Sequence, residues 1–403
     1  MMLAVGLILV GAAPASAGKY LDKAKEMGDW LVDNADVNGV WDSSAKFYKV
    51  ATNMLALAEL HAVTGDPKYL TAATDAANYV TTNLQLMDEA TAESWTYGGA
   101  GGVDFDAETW QDAYGLVMSS GSPGAVAQYA NSWGQGVYTQ ALARLNQING
   151  SFGANVSGAR SWLESNSHGA AETNYTGLIY KRMTGAYTQQ HGIIPVNNVY
   201  HTYGDNPYPF KLWTESQGAF VCAALMVGNT TIATELGDWL IDSNYGWHAT
   251  DGQFNTFYEF DIGLANYNQN NGQDVGTYDA DEDIICCLVA LYDSDPGAPN
   301  AAAYLQRAID SMDETLASQG SSSQIQALVD LYQHTGDMTY LTEARARGNE
   351  YLLLDSSSYG WGNGSKILRL LRVDEEEPIP EPGVVGLFGL GVLGLVRRKR
   401  RGA

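Results

Sequence analysis

The sequence predicts an all-α chain of helical hairpins arranged as a double ring, and three observations carry that prediction. Helical periodicity recurs from Tyr20 to Leu354, broken by connections rich in Gly, Trp and Asn. The helices fall into two kinds, some apolar nearly all round and others with one apolar face. A buried inner ring and a water-facing outer ring require that division. One hairpin is also written twice, which marks an internal repeat.

The first copy is Leu57 to Val80, LAELHAVTGDPKYLTAATDAANYV, and the second is Leu328 to Tyr351, LVDLYQHTGDMTYLTEARARGNEY. In each, Thr-Gly ends a helix, because glycine takes the left-handed conformation of a helix C-cap. Asp66 or Asp337 then caps the next helix, and Pro67 suits its first position. Tyr69, Leu70, Ala73, Ala77 and Val80 recur at helical spacing, so the returning helix has one buried side. The two copies are expected to pack as neighbours where the ring opens and closes.

In chain order the pattern predicts helices over Tyr20–Asn34, up to Thr64, and on to about Leu84. A third inner helix is expected from near Asp106, then helices over Gly124–Leu145, Ala170–Gly185, Glu215–Val227 and Thr231–Ile241. Asp281–Tyr292, Ala301–Leu316, Ile325–Thr335 and Tyr340–Leu354 complete the series. Six of these read as inner, centred near residues 56, 112, 178, 221, 287 and 330. Gln190 to Leu212, with Pro195, Pro207 and Pro209, reads as a long loop, and Tyr245 to Tyr278 as an excursion with little regular structure.

A chain of 403 residues that is 45% hydrophobic can bury a large core. Its formal charge is −24, with 22 Lys and Arg against 46 Asp and Glu, which argues against nucleic acid as a partner. Strongly polyanionic substrates are disfavoured unless a local basic pocket exists. Cys222, Cys286 and Cys287 lie in apolar runs and read as buried packing residues, with one disulfide from Cys222 to the pair as the alternative. Their spacing fits no metal site, and no cofactor is implied.

The ends supply an address. Residues 1–17, closing on Ala15-Ser16-Ala17, read as a secretory signal peptide, although no positive charge precedes the apolar run. A domain over 18–373 is followed by an acidic, Pro-containing linker at 374–382, an uncharged segment at 383–396 that reads as a short transmembrane sorting segment, and a basic tail at 397–403. Fourteen residues at about 1.5 Å each make a helix of roughly 21 Å, short of a hydrocarbon core of about 30 Å. The segment is therefore a poor permanent anchor, and the basic residues after it hold the end cytoplasmic during export. Pro380-Glu381-Pro382, the short Gly/Leu-rich span and the terminal Arg cluster together resemble the PEP-CTERM sorting signal of Gram-negative bacteria. That resemblance implies processing by an exosortase-type membrane enzyme, with membrane association beforehand. It also implies delivery to the cell envelope, cell surface or extracellular matrix.

The turn phrase L..L...TGD..YL..A resembles the hairpins of the (α/α)6-type toroids, particularly six-hairpin glycosidases and their lyase relatives. The resemblance implies a cavity lined by the loops that enter the inner helices, and those loops hold the carboxylates and aromatics of this chain. Glycoside hydrolysis needs one protonated and one ionised carboxyl flanking the bond. Candidates are Asp104, Asp106 and Glu108 before one inner helix, and Asp281 and Asp283 at the start of another. A helix N-terminus favours an ionised Asp106 or Asp281, while crowding keeps a partner such as Asp283 or Glu108 protonated. Trp41, Trp95, Trp110, Trp213, Trp247 and Tyr258 are candidates for stacking on sugar rings, against the reading that they plug the ring mouth.

Other motifs fail on inspection. Asp279-x-Asp281-x-Asp283 begins like a calcium loop, but Ile284 stands where glycine is needed and Ala290 where the bidentate acid belongs. The same run weakly resembles the acidic motif of triterpene cyclases, a remote alternative. His168 and Glu172 lack a third ligand. The expectation is therefore an exported toroid acting on polysaccharide as a glycoside hydrolase or lyase, with a non-catalytic carbohydrate-binding or structural matrix protein as the alternative.

Overall fold

The computed structural model describes residues 18–36, 39–41, 47–88, 90–91, 114–117, 132–166, 186–189, 192–195, 210–243, 246–255, 257–260, 280–320 and 323–376. Among them are twelve α-helices. In chain order they are α1 (Lys19–Asp33), α2 (Phe47–Thr64), α3 (Pro67–Asn83), α4 (Ser132–Asn149), α5 (Gly153–Asn166) and α6 (Thr214–Met226). After these come α7 (Thr230–Ile241), α8 (Ala280–Ser294), α9 (Ala301–Gln319), α10 (Ile325–Thr335), α11 (Met338–Leu352) and α12 (Asn363–Glu376).

The repeated turn sequence has an atom-by-atom explanation. Gly65 and Gly336 take φ of +71° and +74°. Thr64 Oγ1 donates to the Leu60 carbonyl at 2.6 Å and accepts from the Asp66 amide at 3.2 Å; Thr335 repeats this with Leu331 and Asp337 at 2.8 and 3.1 Å. Asp66 then accepts from Lys68 N at 3.0 Å and Asp337 from Thr339 N at 2.8 Å, capping the returning helices. The tyrosine three residues on has a separate use. Tyr69 donates to Asp29 of α1 at 2.7 Å, and Tyr340 to Asp313 of α9 at 2.5 Å. Tyr304 of α9 donates likewise to Asp238 of α7, and Tyr20 of α1 to Asn349 of α11 at 3.0 Å. One phenol thus latches successive outer helices at four places.

Packing closes the ring. Helices α2, α4, α6, α8, α10 and α12 each lie against the next, and α12 returns to α2. Outside them α3, α5, α7, α9, α11 and α1 cover the same helices in order, so the sixth hairpin joins the last helix to the first. Fully buried Met27, Met54, Leu57, Leu60, Tyr138, Leu142, Phe220, Leu236, Leu288, Leu328 and Leu370 fill the space between the rings. Inner helices approach closely at glycine. A Cβ on Gly136 would come within 2.8 Å of Ala219, and one on Gly218 within 3.0 Å of the Ile284 amide.

The helices expected near 112 and 178 lie outside the described residues; among those described, the ring closes with α4 and α12 as inner members, and no helix was expected over α12. Its arginines Arg369 and Arg372 point into the ring, so it lacks the apolar character that marks an inner helix. The two hairpin copies flank the α12/α1 pair and are not direct neighbours. The linker expected from residue 374 is in its first residues the last turn of α12.

Inner-to-outer turns are short, whereas long stretches of sequence, 84–131, 167–213 and 242–279, separate outer helices from the next inner helices α4, α6 and α8. They hold three antiparallel two-stranded ribbons: β1 (Ala186–Gln189) with β2 (Gly192–Pro195), β3 (Phe210–Trp213) with β6 (Phe257–Phe260), and β4 (Trp247–His248) with β5 (Gln253–Phe254). Strand pairing thus enters stretches expected to be irregular. Among the described residues no helix is long and apolar enough to cross a membrane.

Candidate active site at the ring mouth

The inner helices all start at one end, where their first turns meet. Trp133 of α4 donates its indole N–H to the Asp283 carboxylate of α8. Neighbouring Glu282 accepts from the amide of Gln326, at the start of α10, at 2.9 Å. Its other oxygen pairs with Arg369 of α12 at 2.7–2.8 Å, and Arg369 also donates to the Tyr351 hydroxyl at 3.0 Å. Glu282 therefore ties α8, α10 and α12 together.

Asp283 has a different environment. Burial pushes its carboxyl up to about 7, and the charges of Glu282 and Glu215 add to the shift; the Trp133 hydrogen bond and Arg369 oppose it. A carboxyl raised to that range exchanges its proton near neutral pH, as a general acid must. Glu215, in the first turn of α6, acts on it from the adjacent inner helix.

Deeper in the ring the hairpin register sets a second tier. Gly65, Gly150, Gly228 and Gly336 all have positive φ at the ends of α2, α4, α6 and α10. Six residues before each stands Glu59, Arg144, Cys222 or Asp330. Arg144 pairs with Glu59 at 2.9–3.0 Å, and Arg372 of α12 pairs with Asp330 and also acts on Glu59. Cys286 of α8 interacts with both Cys222 and Asp330. All six inner helices thus contribute to one belt of two carboxylates, two guanidiniums and two thiols. Burial raises the Glu59 carboxyl, and Arg144 and Arg372 counteract it. Burial also raises all three thiols, and the cysteines are free.

Of the sequence candidates, Asp283 lies at the mouth, and Asp281 shares its helix. Asp104, Asp106, Glu108, Trp95 and Trp110 lie outside the described residues. Trp213 and Tyr258 fall on paired strands, opposite Phe257 and Leu212 respectively. Trp41 and Trp247 are core side chains, each 1% exposed, and neither offers a ring face to a sugar. Trp41 donates to the Leu31 carbonyl at 2.8 Å; Trp247 stands edge-on to Phe254 with Arg307 4.6 Å from its ring. Sequence reading passed over Glu215, Glu282, Arg369 and the belt. An acid in the first turn of an apolar helix, and two arginines three apart in ILRLLR, were the available signals. Among the described residues no cluster of metal-ligand type occurs.

Residues 378–401 match the PEP-CTERM protein-sorting motif. Comparison with curated proteins gives no match. Among solved structures, the chain is similar to an inactive variant of the GH76A α-1,6-mannanase of Salegentibacter sp. HEL1_6 in complex with α-1,6-mannotriose. That likeness has 12% identity, 88% of this chain and 99% of that one covered, and a TM-score of 0.50. The GH76 α-mannanase of Bacteroides thetaiotaomicron is similar at 10% identity, with 89% and 96% covered and a TM-score of 0.57. A sugar epimerase from a ruminal bacterium is similar at 11%, with 89% and 99% covered and a TM-score of 0.58. At such identities the likeness is one of fold. The ring and the tail together define the class: an exported, exosortase-sorted protein built on an (α/α)6 toroid.

Proposed function

We propose that this toroid acts on carbohydrate in the cell envelope or extracellular matrix of a Gram-negative bacterium, as a glycoside hydrolase or polysaccharide lyase. The observation that carries the reading is Asp283, a carboxyl raised to about 7 at the end of the ring where the long connections enter. Asp283 serves as the proton donor. Its ionised partner is Glu215 or one of Asp104, Asp106, Glu108 and Asp281, since cleavage needs a second carboxylate across the sugar. Trp95, Trp110, Trp213 and Tyr258 supply stacking surface. Mannan is the first substrate to try, because one solved toroid of similar fold holds α-1,6-mannotriose.

The test is a polysaccharide panel that includes α-1,6-mannotriose, run on the purified protein and on Asp283→Asn and Glu215→Gln. Loss of roughly 10²–10⁴-fold in rate in Asp283→Asn is expected. Unchanged turnover in that variant would remove the assignment. A second reading, a non-catalytic carbohydrate-binding or matrix protein, is favoured by one fact: Glu282, the acid beside Asp283, is committed to Arg369 and the Gln326 amide. Saturable binding of a glycan without product would select it.

A further inference from the structure

The sixth hairpin is built from the two ends of the folded chain, and its junction has an unusual cap. Gly18 is the N-cap of α1 and makes no side-chain capping bond. The bond is supplied by Asp374, in the last turn of α12, whose Oδ1 accepts from the Leu21 amide at 3.1 Å. That oxygen occupies the place of the missing side chain: a Cβ built on Gly18 would lie 2.0 Å from Oδ1 and 2.8 Å from Cγ. A carboxylate more than 350 residues away thus does the work of an N-cap Asp, and only glycine leaves room for it.

We propose that Asp374 is the binding site for the α-ammonium of the mature chain, which begins at Gly18. While residues 1–17 are attached, Gly18 N is an uncharged amide. Removing them by hydrolysis of the Ala17–Gly18 bond leaves a carboxylate on the departing segment and an ammonium on Gly18. That cation stands at the positive end of the α1 dipole, a destabilising position without a counter-charge. Asp374 provides it, so N-terminal processing adds a charge-assisted contact across the seam that closes the ring. The sorting motif starts at residue 378, four residues after Asp374, so processing within the motif leaves Asp374 in the chain.

Two measurements test this. N-terminal sequencing of protein recovered from the exporting cell must begin at Gly18; any other start overturns the proposal. The chain from Gly18 to Ala403 is then compared with its α-amine free and acetylated. With the amine free, amides of residues 20–24 exchange about fivefold more slowly, a ratio equivalent to about 1 kcal/mol. In Asp374→Asn that difference disappears, whatever the absolute stability of the variant. Equal exchange in the free and acetylated forms, or a difference that persists in Asp374→Asn, would overturn the assignment.

Discussion

At the residue scale, Asp283 and the Glu59–Arg144 pair show how far environment outweighs identity. The Asp283 residue is half-buried while its carboxyl is enclosed, and its raised pKa sets the sign of its linkage to stability. The folded state holds the proton more tightly than the unfolded state does. The stabilisation from that proton is therefore complete below an ordinary aspartate pKa of about 4 and is lost as pH rises through about 7. Asp283→Asn removes this dependence. Against wild type it should gain on the order of 4 kcal/mol between pH 4 and pH 8, read as the difference in urea midpoints at the two pH values. Glu59 and Arg144 are 11% and 14% exposed at their side chains. Glu59→Ala strands a buried guanidinium and is expected to cost about 3–5 kcal/mol, whereas replacing both partners with leucine should cost much less. A double-mutant cycle in urea measures both.

At the scale of the element, the hairpin corner is the unit. A Cβ on Gly65 or Gly336 meets nothing within 4 Å, so substitution there strains only the backbone. Gly65→Ala and Gly336→Ala should each cost about 1 kcal/mol, and Asp66→Ala or Asp337→Ala about 1 kcal/mol through loss of the cap. Since the two corners are far apart, effects at one should add to those at the other; strong coupling in thermal melts would contradict independent hairpins. These corners were legible in the sequence because Thr, Gly, Asp and Tyr act within a few residues of one another. The tyrosine-to-acid latches were not, since their acids sit on other helices. Helix α12 escaped for a related reason. Its arginines pair with Glu282 and Asp330, Arg369 buried and Arg372 partly so, and a pattern of apolar residues alone gives no sign of that partnership.

At the scale of the molecule, the sorting tail leaves a mass to measure. The mature protein should lack the residues after the Pro380-Glu381-Pro382 motif, and an intact mass ending at Ala403 in material from the cell surface would contradict exosortase processing. The candidate site divides along the same line as the fold. Acids and aromatics were expected on the connections into inner helices, whereas Asp283 stands in the first turn of α8 itself. Trp41 and Trp247 belong to the core, because loop position does not reveal which face a ring turns to its neighbours. By itself the sequence determined the hairpin turns, the sorting of many helices into inner and outer, and the C-terminal sorting motif, all of which are written in short windows of chain. Tertiary structure alone decided that α12 and α1 close the ring, that Asp374 caps a helix at the other end of the chain, and that burial raises the Asp283 carboxyl. Burial and counter-charge come from side chains hundreds of residues apart, and only the folded ring brings them within a few ångströms.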